Sequence, residues 1–554
     1  AIRKIKKENL SNYLNPSIKN TLINPNVLKD MEKTTLRTVN SIINKEKIGI
    51  FGDYDVDGAS SSAILGRYFK EINLPFEIYI PDRTTEGYGP SIKGFEVLLK
   101  KNSKLIFTVD CGTLSYEPID FLFKKNIDVL VLDHHQSESI LPKAYSIINP
   151  NRIDDDSNLN YLCAAGVCFM FLISLNRQLR KINWFKKNNQ DEPNLMNYLD
   201  LISLGTVCDV VPLIGINRAI VKQGLKVLKS KSNLGLKTLI DICKIESTPT
   251  TYHLGYVLGP RINAGGRVGK CSHGVNLLLD INPKKVFKIA CELDDYNKQR
   301  KLIETNLLDE ILTNIKDTSD PVLILSGNNW HEGIIGIIAS RIKERFNKPT
   351  TIISEGKLIA KGSARSIINF DIGSVIISAV QNGILIKGGG HKMAGGFSIR
   401  NKDITKFKDF VIKKYEKLKV NTLEMKKIFI DSIISPSAIN IEFFDKVNNL
   451  APFGSGNLEP KFCIENLRSV NSKIIGEKHI KSVLTGEDGS IVKSIAFNAT
   501  GSDIEAYLIN NNSQFNIVGK LSLNEWRGQK NVEFIIDDIS VNKDNKNTVP
   551  SSIG

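Results

Sequence analysis

Three short apolar runs in the first quarter of the chain share one pattern. Residues 48–52, 105–109 and 129–132 are continuous, rich in β-branched side chains, and separated by stretches with helical periodicity. Runs of this length and character are typical of buried parallel strands. With further strands predicted at 76–80 and 146–149, the pattern indicates an α/β fold built on a doubly wound parallel sheet.

The remaining length requires several more domains, because 554 residues are too many for one hydrophobic core. After the first sheet the pattern predicts a long charged helix, a second α/β unit, and then short strands with turn signals that are typical of a small barrel. The predicted segments are a helical lead-in (1–45), a first α/β domain (46–282), a bridging helix (283–317), a second α/β domain (318–415), a β-barrel (428–543) and a disordered tail (544–554).

Three aspartates follow the first apolar run at alternate positions. Asp53, Asp55 and Asp57 lie in the motif DYDVDG, and an extended backbone places alternate side chains on one face. Such carboxylates repel one another unless a cation neutralises them. An EF-hand calcium loop shares this spacing, but it needs a preceding helix and a glutamate where this chain has Ile64. A solvated acidic turn is the other interpretation of the motif taken alone.

The second and third apolar runs also end in side chains that can bind metal. Asp110 follows the second run, and an Asp-His-His triplet at 133–135 follows the third. In open α/β sheets ligands bind beyond the carboxyl ends of the strands, so we expect these groups to converge. Asp209 interrupts the apolar stretch 201–211, where an isolated aspartate is rarely buried unless it is paired or metal-bound. Together the four acidic positions favour a metal site over a solvated turn.

Four motifs resemble, in order and spacing, those of a known enzyme family. They are DYDVDG (53–58), VDCG (109–112), LDHH (132–135) and GTVCDVVPL (205–213). The chain is similar to the DHH phosphoesterases, and most closely to their bacterial single-strand-specific exonucleases. The likeness continues through GPRINAGGR (259–267), HEGIIGIIASRI (331–342), KGSARS (361–366), GGGH (388–391) and APFGSGNLEP (451–460). It implies a DHH catalytic domain, a DHH-associated domain and an OB-type barrel that binds nucleic acid.

The resemblance implies two divalent metal ions as cofactors, Mn²⁺ or Mg²⁺, and carboxylates with one imidazole suit these ions. The implied ligands are Asp53 and Asp55 for one ion, Asp57, His134 and Asp209 for the other, and Asp110 as a bridge between both. Asp133 is expected to orient His134. His135 and Arg267 are expected to contact the scissile phosphate.

A path for nucleic acid is also implied by the resemblance. Arg83, Ser363 and Arg365 resemble a pocket for a terminal 5′-phosphate. Tyr88, Trp526 and Phe534 offer faces on which bases could stack, although aromatic residues in small barrels are more often core. The other expected nucleic-acid contacts are Arg261, Asn263 and His391.

The charge of the chain favours a polyanionic partner. Lysine and arginine number 74 against 59 aspartates and glutamates, which gives a formal charge of +15. An AT-biased genome that enriches lysine is the alternative explanation.

Eight cysteines without a Cys-x-x-Cys pair argue against zinc and for reduced thiols. The start lacks the apolar core of a secretory signal and no segment is long and apolar enough for a membrane span, so we expect a cytoplasmic protein without membrane contact.

The expected function is 5′→3′ degradation of single-stranded DNA to 5′-mononucleotides in DNA repair and recombination. One alternative is a DHH phosphodiesterase for short RNAs or cyclic dinucleotides, but the C-terminal barrel favours a polymer. Another is a non-catalytic replication scaffold, although such relatives have lost acidic ligands that this chain keeps. Single-stranded DNA, a single-strand-binding protein and a repair helicase are the expected partners of a monomeric chain.

Overall fold

The structure is a computed structural model with two compact units. It describes residues 3, 5–83, 85–315, 319–418, 428–509, 514–526 and 529–540. The larger unit comprises Ile23–Val211 and Gly224–Met425, and the smaller comprises Ala1–Leu22, Pro212–Gln223 and Lys426–Gly554, as far as these ranges are described. The predicted tail at 544–554 lies outside the described residues.

The predicted helical lead-in is divided between the two units. Its helices are α1 (Leu10–Leu14), α2 (Ile18–Thr21) and α3 (Met31–Ile43). The first two belong to the smaller unit, and α3 belongs to the larger. There Thr35 of α3 donates a hydrogen bond to Ser174 at 2.9 Å, which ties the helix into the buried interior.

A five-stranded parallel sheet forms the centre of the first α/β domain. Its strands are β1 (Ile48–Gly52), β2 (Phe76–Tyr79), β3 (Leu105–Val109), β4 (Asp128–Leu132) and β5 (Ser146–Ile148). The order is β2-β1-β3-β4-β5, and every neighbouring pair is parallel. The doubly wound sheet predicted from the apolar runs is confirmed.

Helices cover both faces of this sheet, which explains why the inner strands β1 and β3 are buried along their whole length. The helices of this part of the chain are α4 (Val56–Glu71), α5 (Ile92–Lys100), α6 (Tyr116–Lys124), α7 (Ala164–Lys181), α8 (Trp184–Lys187) and α9 (Leu199–Cys208). On one face, residues of α5 and α6 pack with Phe51 in a buried cluster. On the other, the ring of Phe107 lies 5.8 Å from that of Phe69 in α4 and 5.6 Å from that of Phe171 in α7.

A helical region follows and leads into the predicted bridging helix. Its elements are α10 (Gly215–Lys229), α11 (Leu234–Ile242), a π-helix (His253–Leu258), α12 (Gly259–Val268), α13 (His273–Leu279) and α14 (Pro283–Asn314). The long helix α14 begins where predicted because Asn282 caps it, accepting hydrogen bonds from the Lys284 and Lys285 amides, and Pro283 occupies its first turn.

The second α/β domain contains a mixed sheet. Its strands are β6 (Leu323–Asn328), β7 (Thr350–Glu355), β8 (Ile359–Arg365), β9 (Lys387–His391) and β10 (Ala394–Arg400), and its helices are α15 (Ile335–Phe346), α16 (Ile372–Gln381) and α17 (Ile404–Lys417). The strand order is β6-β7-β8-β10-β9, in which β6 and β7 are parallel and the other pairs antiparallel. This domain lies in the larger unit with the first sheet.

The C-terminal region forms the predicted OB-type barrel. Its elements are β11 (Ser432–Ile433), β12 (Phe462–Ile475), β13 (His479–Thr485), β14 (Ile491–Ala496), β15 (Phe515–Trp526) and β16 (Gln529–Ser540), with helices α18 (Ile441–Asn448) and α19 (Asp503–Ile509). Pairing of β12 with β15 closes the sheet. Phe534 is fully buried in this core, as aromatic residues in small barrels more often are, so it offers no face for base stacking. The side chain of Trp526 lies outside the described part of the structure.

Within the described residues, no helix combines the length and apolar character that crossing a membrane requires.

Candidate metal centre and phosphate pocket

The register of the parallel sheet brings three acidic residues to one level. Gly52 at the end of β1 pairs with Val109 of β3, which pairs with Leu132 of β4. The residues that follow these three are Asp53, Asp110 and Asp133, and each is at most 2% exposed. Asp110 adopts a left-handed backbone conformation with φ of 60°, which aspartate tolerates better than most residues. The sheet itself therefore gathers buried carboxylates at its carboxyl edge.

The acidic motif after β1 turns directly into a helix. Asp55 is the N-cap of α4 and accepts a hydrogen bond from the Gly58 amide at 3.0 Å, while Asp57 lies in the first helical turn. The expectation that alternate positions of a strand carry all three carboxylates is therefore wrong for Asp57. A Cβ on Gly58 would lie 2.5 Å from the Asp53 carbonyl oxygen, so glycine is required for this tight turn.

Asp57 is held in place by the start of another helix. Its two carboxylate oxygens accept hydrogen bonds from the Ala164 and Ala165 amides of α7, at 2.6 and 3.0 Å. Helix N-termini favour negative charge, so this position suits a buried carboxylate. Gly205 of α9 lies so close that a Cβ there would stand 2.5 Å from Asp57 Oδ1. The carboxylate thus occupies a tightly defined position.

The structure brings the expected metal ligands together in three groups of donor atoms. Within each group, all donor atoms lie within 4.8 Å of one another. The groups are Asp53 with Asp55 and Asp110, Asp57 with His134 and Asp209, and Asp110 with His134 and His135. Asp110 and His134 each belong to two of the groups, so these two side chains connect the three sets of donor atoms.

Unpaired polar atoms show that these residues fit a cation. Nε2 of His134 lies 3.3 Å from Asp110, 3.6 Å from Asp209 and 3.8 Å from Asp57, yet makes no hydrogen bond within the described structure. Oδ1 of Asp53 and Oδ2 of Asp110 also have no partner among the described residues. Buried polar atoms are rarely left unpaired, and hard oxygen donors with one imidazole are suited to Mn²⁺ or Mg²⁺.

Burial and mutual repulsion make these carboxyl groups bind protons strongly in the metal-free protein. Burial, reinforced by Asp55 and Asp57, raises the pKa of Asp110 well above its usual value. The same causes raise the pKa of Asp209 to about 8. Burial lowers the pKa of His134, which leaves its imidazole neutral and able to bind a metal. A cation would therefore replace protons at this centre.

Asp133 orients a different histidine from the one expected. Its Oδ1 lies 2.8 Å from Nδ1 of the His135 ring, whereas it meets His134 only through the backbone amide, also at 2.8 Å. The expectation that Asp133 orients the ring of His134 is therefore wrong. Burial would lower the pKa of His135, but the Asp133 carboxylate overrides this and raises it to about 9. The Tyr88 hydroxyl lies 3.1 Å from His135 and donates to the Asp110 carbonyl, so Tyr88 borders this group.

Two asparagines that the sequence analysis missed brace the histidine loop. Asn149 donates to the His135 carbonyl at 2.8 Å, and Asn151 donates to the His134 carbonyl at 2.5 Å. Both follow β5, the edge strand beside β4. Polar side chains at that strand end were the signal for them, because the carboxyl ends of parallel strands share one edge.

A cationic pocket is formed in the second α/β domain. Arg365 of β8 donates to Ser363 Oγ at 3.3 Å, and both lie against the N-terminal turn of α15. A Cβ on Gly336 in that turn would stand 3.0 Å from Ser363 Oγ and 3.1 Å from Arg365 Nη2. Helix N-termini, hydroxyls and guanidinium groups all bind anions, and the sequence analysis did not anticipate the helix.

Further arginines extend this positive region toward the metal centre. Arg83 lies over the ring of Tyr54, 5.3 Å from its centroid, and Tyr54 separates Asp53 from Asp55. Arg267 donates to the Gly333 carbonyl at 2.9 Å. Burial, with the neighbouring charges of Arg83, Arg300 and Arg365, lowers the pKa of Arg267 to about 10. Arg300 on α14, which the sequence analysis did not single out, adds its charge to this cluster while also pairing with Glu304 at 2.6 Å.

The remaining expected nucleic-acid contacts have other partners in the structure. Arg261 pairs with Asp294 of α14 at 2.8 Å, and Asn263 accepts a hydrogen bond from the Val56 amide at 3.1 Å. Both contacts favour structural support of the site over direct contact with nucleic acid. His391 lies exposed at the end of β9, where it accepts a hydrogen bond from the Met393 amide.

Comparison with known proteins identifies the family. Models of the DHH family N-terminal domain, the DHHA1 domain and the RecJ OB domain match residues 47–206, 319–417 and 430–538. The single-stranded-DNA-specific exonuclease RecJ of Escherichia coli is 33% identical over 529 residues, covering 92% of this chain and 90% of the relative. The chain belongs to the RecJ family.

Solved RecJ structures share this architecture. RecJ of Thermus thermophilus in complex with Mn²⁺ matches with a TM-score of 0.81 at 26% identity, covering 96% of this chain and 74% of that one. An exonuclease RecJ bound to manganese matches with a TM-score of 0.60 at 29% identity, covering 70% and 95%. Both RecJ proteins were solved with manganese, an ion that accepts the kinds of donor atoms grouped here.

Metal binding should depend on pH because the ligands must lose protons. With the pKa of Asp209 at about 8, protons occupy the metal-free centre at neutral pH and compete with the cation. Mn²⁺ affinity should therefore rise as the pH increases from about 6 to about 8, with protons released on binding. Calorimetric titration in buffers of different ionisation enthalpy measures this release. Asp209→Asn should release fewer protons, and pH-independent binding without release would contradict the assignment.

Adding one methyl group beside Asp57 should weaken metal binding. In Gly205→Ala the new Cβ must displace the Asp57 carboxylate, and disturbing the support of a ligand typically costs about 10- to 100-fold in metal affinity. The matched control is Gly255→Ala, whose Cβ would meet Val207 at an ordinary 3.4 Å. Mn²⁺ titration of both variants, with melting temperatures to check folding, tests the effect. Equal affinities would show that Asp57 needs no such close support.

Proposed function

We propose that this protein is a divalent-metal-dependent exonuclease that degrades single-stranded DNA from its 5′ end to 5′-mononucleotides. The observation that carries the proposal is the presence, within one compact unit, of a carboxylate cluster and an arginine pocket. Membership of the RecJ family supports single-stranded DNA as the substrate, because the relatives are named as exonucleases specific for it. Roles in DNA repair and recombination follow from the same kinship.

The acidic cluster is proposed to hold two divalent ions. In this proposal Asp53 and Asp55 hold one ion, Asp57, His134 and Asp209 hold the other, and Asp110 is shared. When bound, the ions stabilise the negative charge that develops on the phosphoryl oxygens and activate water as a nucleophile. The α7 amides that fix Asp57 and the asparagines that brace the histidine loop keep these ligands in place before the substrate arrives.

His135 is proposed to contact the scissile phosphate. Its ring is held through Nδ1 by the buried Asp133 carboxylate, and its side chain remains 45% exposed, so it can reach a substrate. Tyr88, which touches His135 and is 54% exposed, is proposed to receive a base next to the reacting phosphate. Asp133 would then act as a positioning residue for His135.

The arginine pocket supplies the direction of degradation. With a terminal 5′-phosphate bound by Ser363, Arg365 and the start of α15, the first phosphodiester would lie over the metal ions. Arg83 supports this arrangement because it lies close enough to both Arg365 and Asp53 for its positive charge to act to lower the pKa of each. Resistance of a duplex, in which one strand would have to pass between the two α/β domains, stays a prediction. The single-strand-binding protein, the repair helicase, the monomeric state and the cytoplasmic location stay predictions.

Replacing the shared carboxylate should abolish hydrolysis but leave strand binding largely intact. Asp110→Asn suits the test because asparagine tolerates the left-handed backbone at this position. Loss of metal stabilisation should reduce the rate at least about a thousandfold, whereas affinity depends mainly on basic contacts. Gel assays with end-labelled oligonucleotides and fluorescence anisotropy measure the two quantities. Asp120→Ala on the surface of α6 is the control, and activity near wild type in Asp110→Asn would exclude a shared ligand.

Removing the pocket guanidinium should affect one kind of 5′ end selectively. Arg365→Ala should reduce cleavage of 5′-phosphorylated single strands by about 10- to 100-fold, because a charge-assisted contact is worth about 1.5–3 kcal/mol, and should affect 5′-hydroxyl strands less. Arg365→Lys should keep part of the cleavage of 5′-phosphorylated strands, since lysine keeps the charge but lacks the planar fork. Arg400→Ala in β10 is the control. Equal loss on both substrates, or rapid digestion of 5′-blocked strands, would contradict the proposed polarity.

A further inference from the structure

Two tyrosine rings lie stacked on the surface of the larger unit, outside every group assigned above. The ring centroids of Tyr252 and Tyr256 are 5.4 Å apart, and their planes are inclined by 24°. The two residues are 61% and 75% exposed, although large aromatic side chains are usually mostly buried. The pair therefore offers an open aromatic face to another planar group.

This pair belongs to the helical run that leads into the active site. Tyr252 directly precedes the π-helix His253–Leu258, which contains Tyr256 and continues into α12. Leu254 and Leu258 are fully buried, so the run is anchored on one side while the tyrosines point to solvent. π-Helices are rare, and they occur frequently at functional sites.

The side of the run that carries the tyrosines also reaches the metal centre. From Tyr256, steps of four, three and four residues lead to Pro260, Asn263 and Arg267, and such steps keep side chains on one side of a helix. Asn263 binds the Val56 amide beside the acidic motif, and Arg267 lies in the cationic cluster. At 1.5 Å per residue, Tyr256 precedes Asn263 by about 10 Å along the helix.

A second contact joins the π-helix to a proposed metal ligand. The thiol of Cys208 donates a hydrogen bond to the Leu254 carbonyl at 3.4 Å, and the next residue is Asp209. The helical run that carries the tyrosines is thus tied to the metal centre by two separate contacts, one on α12 and one at the end of α9.

We propose that Tyr252 and Tyr256 form a stacking step for the bases of the DNA strand beyond the cleaved bond. This deepens the proposed function and rests on it. A base on the 3′ side would place its face on the open side of Tyr256, which extends the stack that the two rings already form. Stacking of this kind accepts every base, as a nuclease without sequence preference requires.

Single-stranded DNA suits this surface better than other occupants. Unpaired bases have free faces, whereas bases in a duplex are already stacked between neighbours. The net charge of +15 attracts the phosphate backbone that carries those bases. A protein partner would need a wider contact area than two rings offer, and such a role would leave KM and base quenching unchanged in the alanine variant.

The test compares strands that are long enough to reach the pair with a 5′-phosphorylated dinucleotide that is not. Tyr256→Ala and Tyr256→Leu should raise KM for a long single strand about tenfold, with kcat unchanged, because they lose one stacked base. Tyr256→Phe keeps the ring and should behave like wild type. All variants should cleave the dinucleotide normally. Phe287→Ala, which removes a 58% exposed ring from α14, is the control.

A binding measurement without metal separates this inference from the proposed function. Oligonucleotides with 2-aminopurine at successive positions should show quenched fluorescence at one position with wild type and Tyr256→Phe, but not with Tyr256→Ala. This result is expected even if the protein fails to cleave DNA. Unchanged quenching and KM in the alanine and leucine variants would overturn the inference. Equal loss on the dinucleotide would also overturn it, because Tyr256 would then only support Asp209.

Discussion

Repulsion among buried carboxylates is the constraint on which this molecule depends. Asp53, Asp57 and Asp110 are each at most 2% exposed and share one small volume with Asp55 and Asp209. Two unit charges about 4 Å apart repel by about 4 kcal/mol at the effective dielectric of a partly buried site. The metal-free protein relieves this repulsion by binding protons. Divalent cations would relieve it by balancing the negative charge of carboxylates that stay deprotonated. The centre is therefore assembled for cations.

The rest of the larger unit supplies what the metal centre requires. Parallel register aligns the strand ends, and the amides of α7 hold both carboxylate oxygens of Asp57. The second α/β domain contributes the opposite charge, with Arg365 and Ser363 at the start of α15. A phosphodiester strand has anionic groups at regular intervals, so adjacent sites for cations and for phosphate suit such a polymer.

The sequence predicted the elements whose signals are local. Continuous apolar runs revealed β1, β3 and β4, and the acids after them identified the edge where ligands meet. The contacts of individual side chains depend on rotamers and on distant elements, which a local pattern does not contain. Asp133 therefore orients His135 and not His134, and Phe534 lies in the barrel core although its position allowed an exposed face. Asn151, Arg300 and the start of α15 were missed because they act from other elements.

The central claim is that the buried acids form a centre for two divalent ions with Asp110 shared between them. Anomalous diffraction from crystals soaked with Mn²⁺ tests it most directly. The account predicts two peaks, one among Asp53, Asp55 and Asp110 and the other among Asp57, His134, Asp209 and Asp110. Peaks at other residues, or a single peak that does not contact Asp110 at saturating metal, would contradict it.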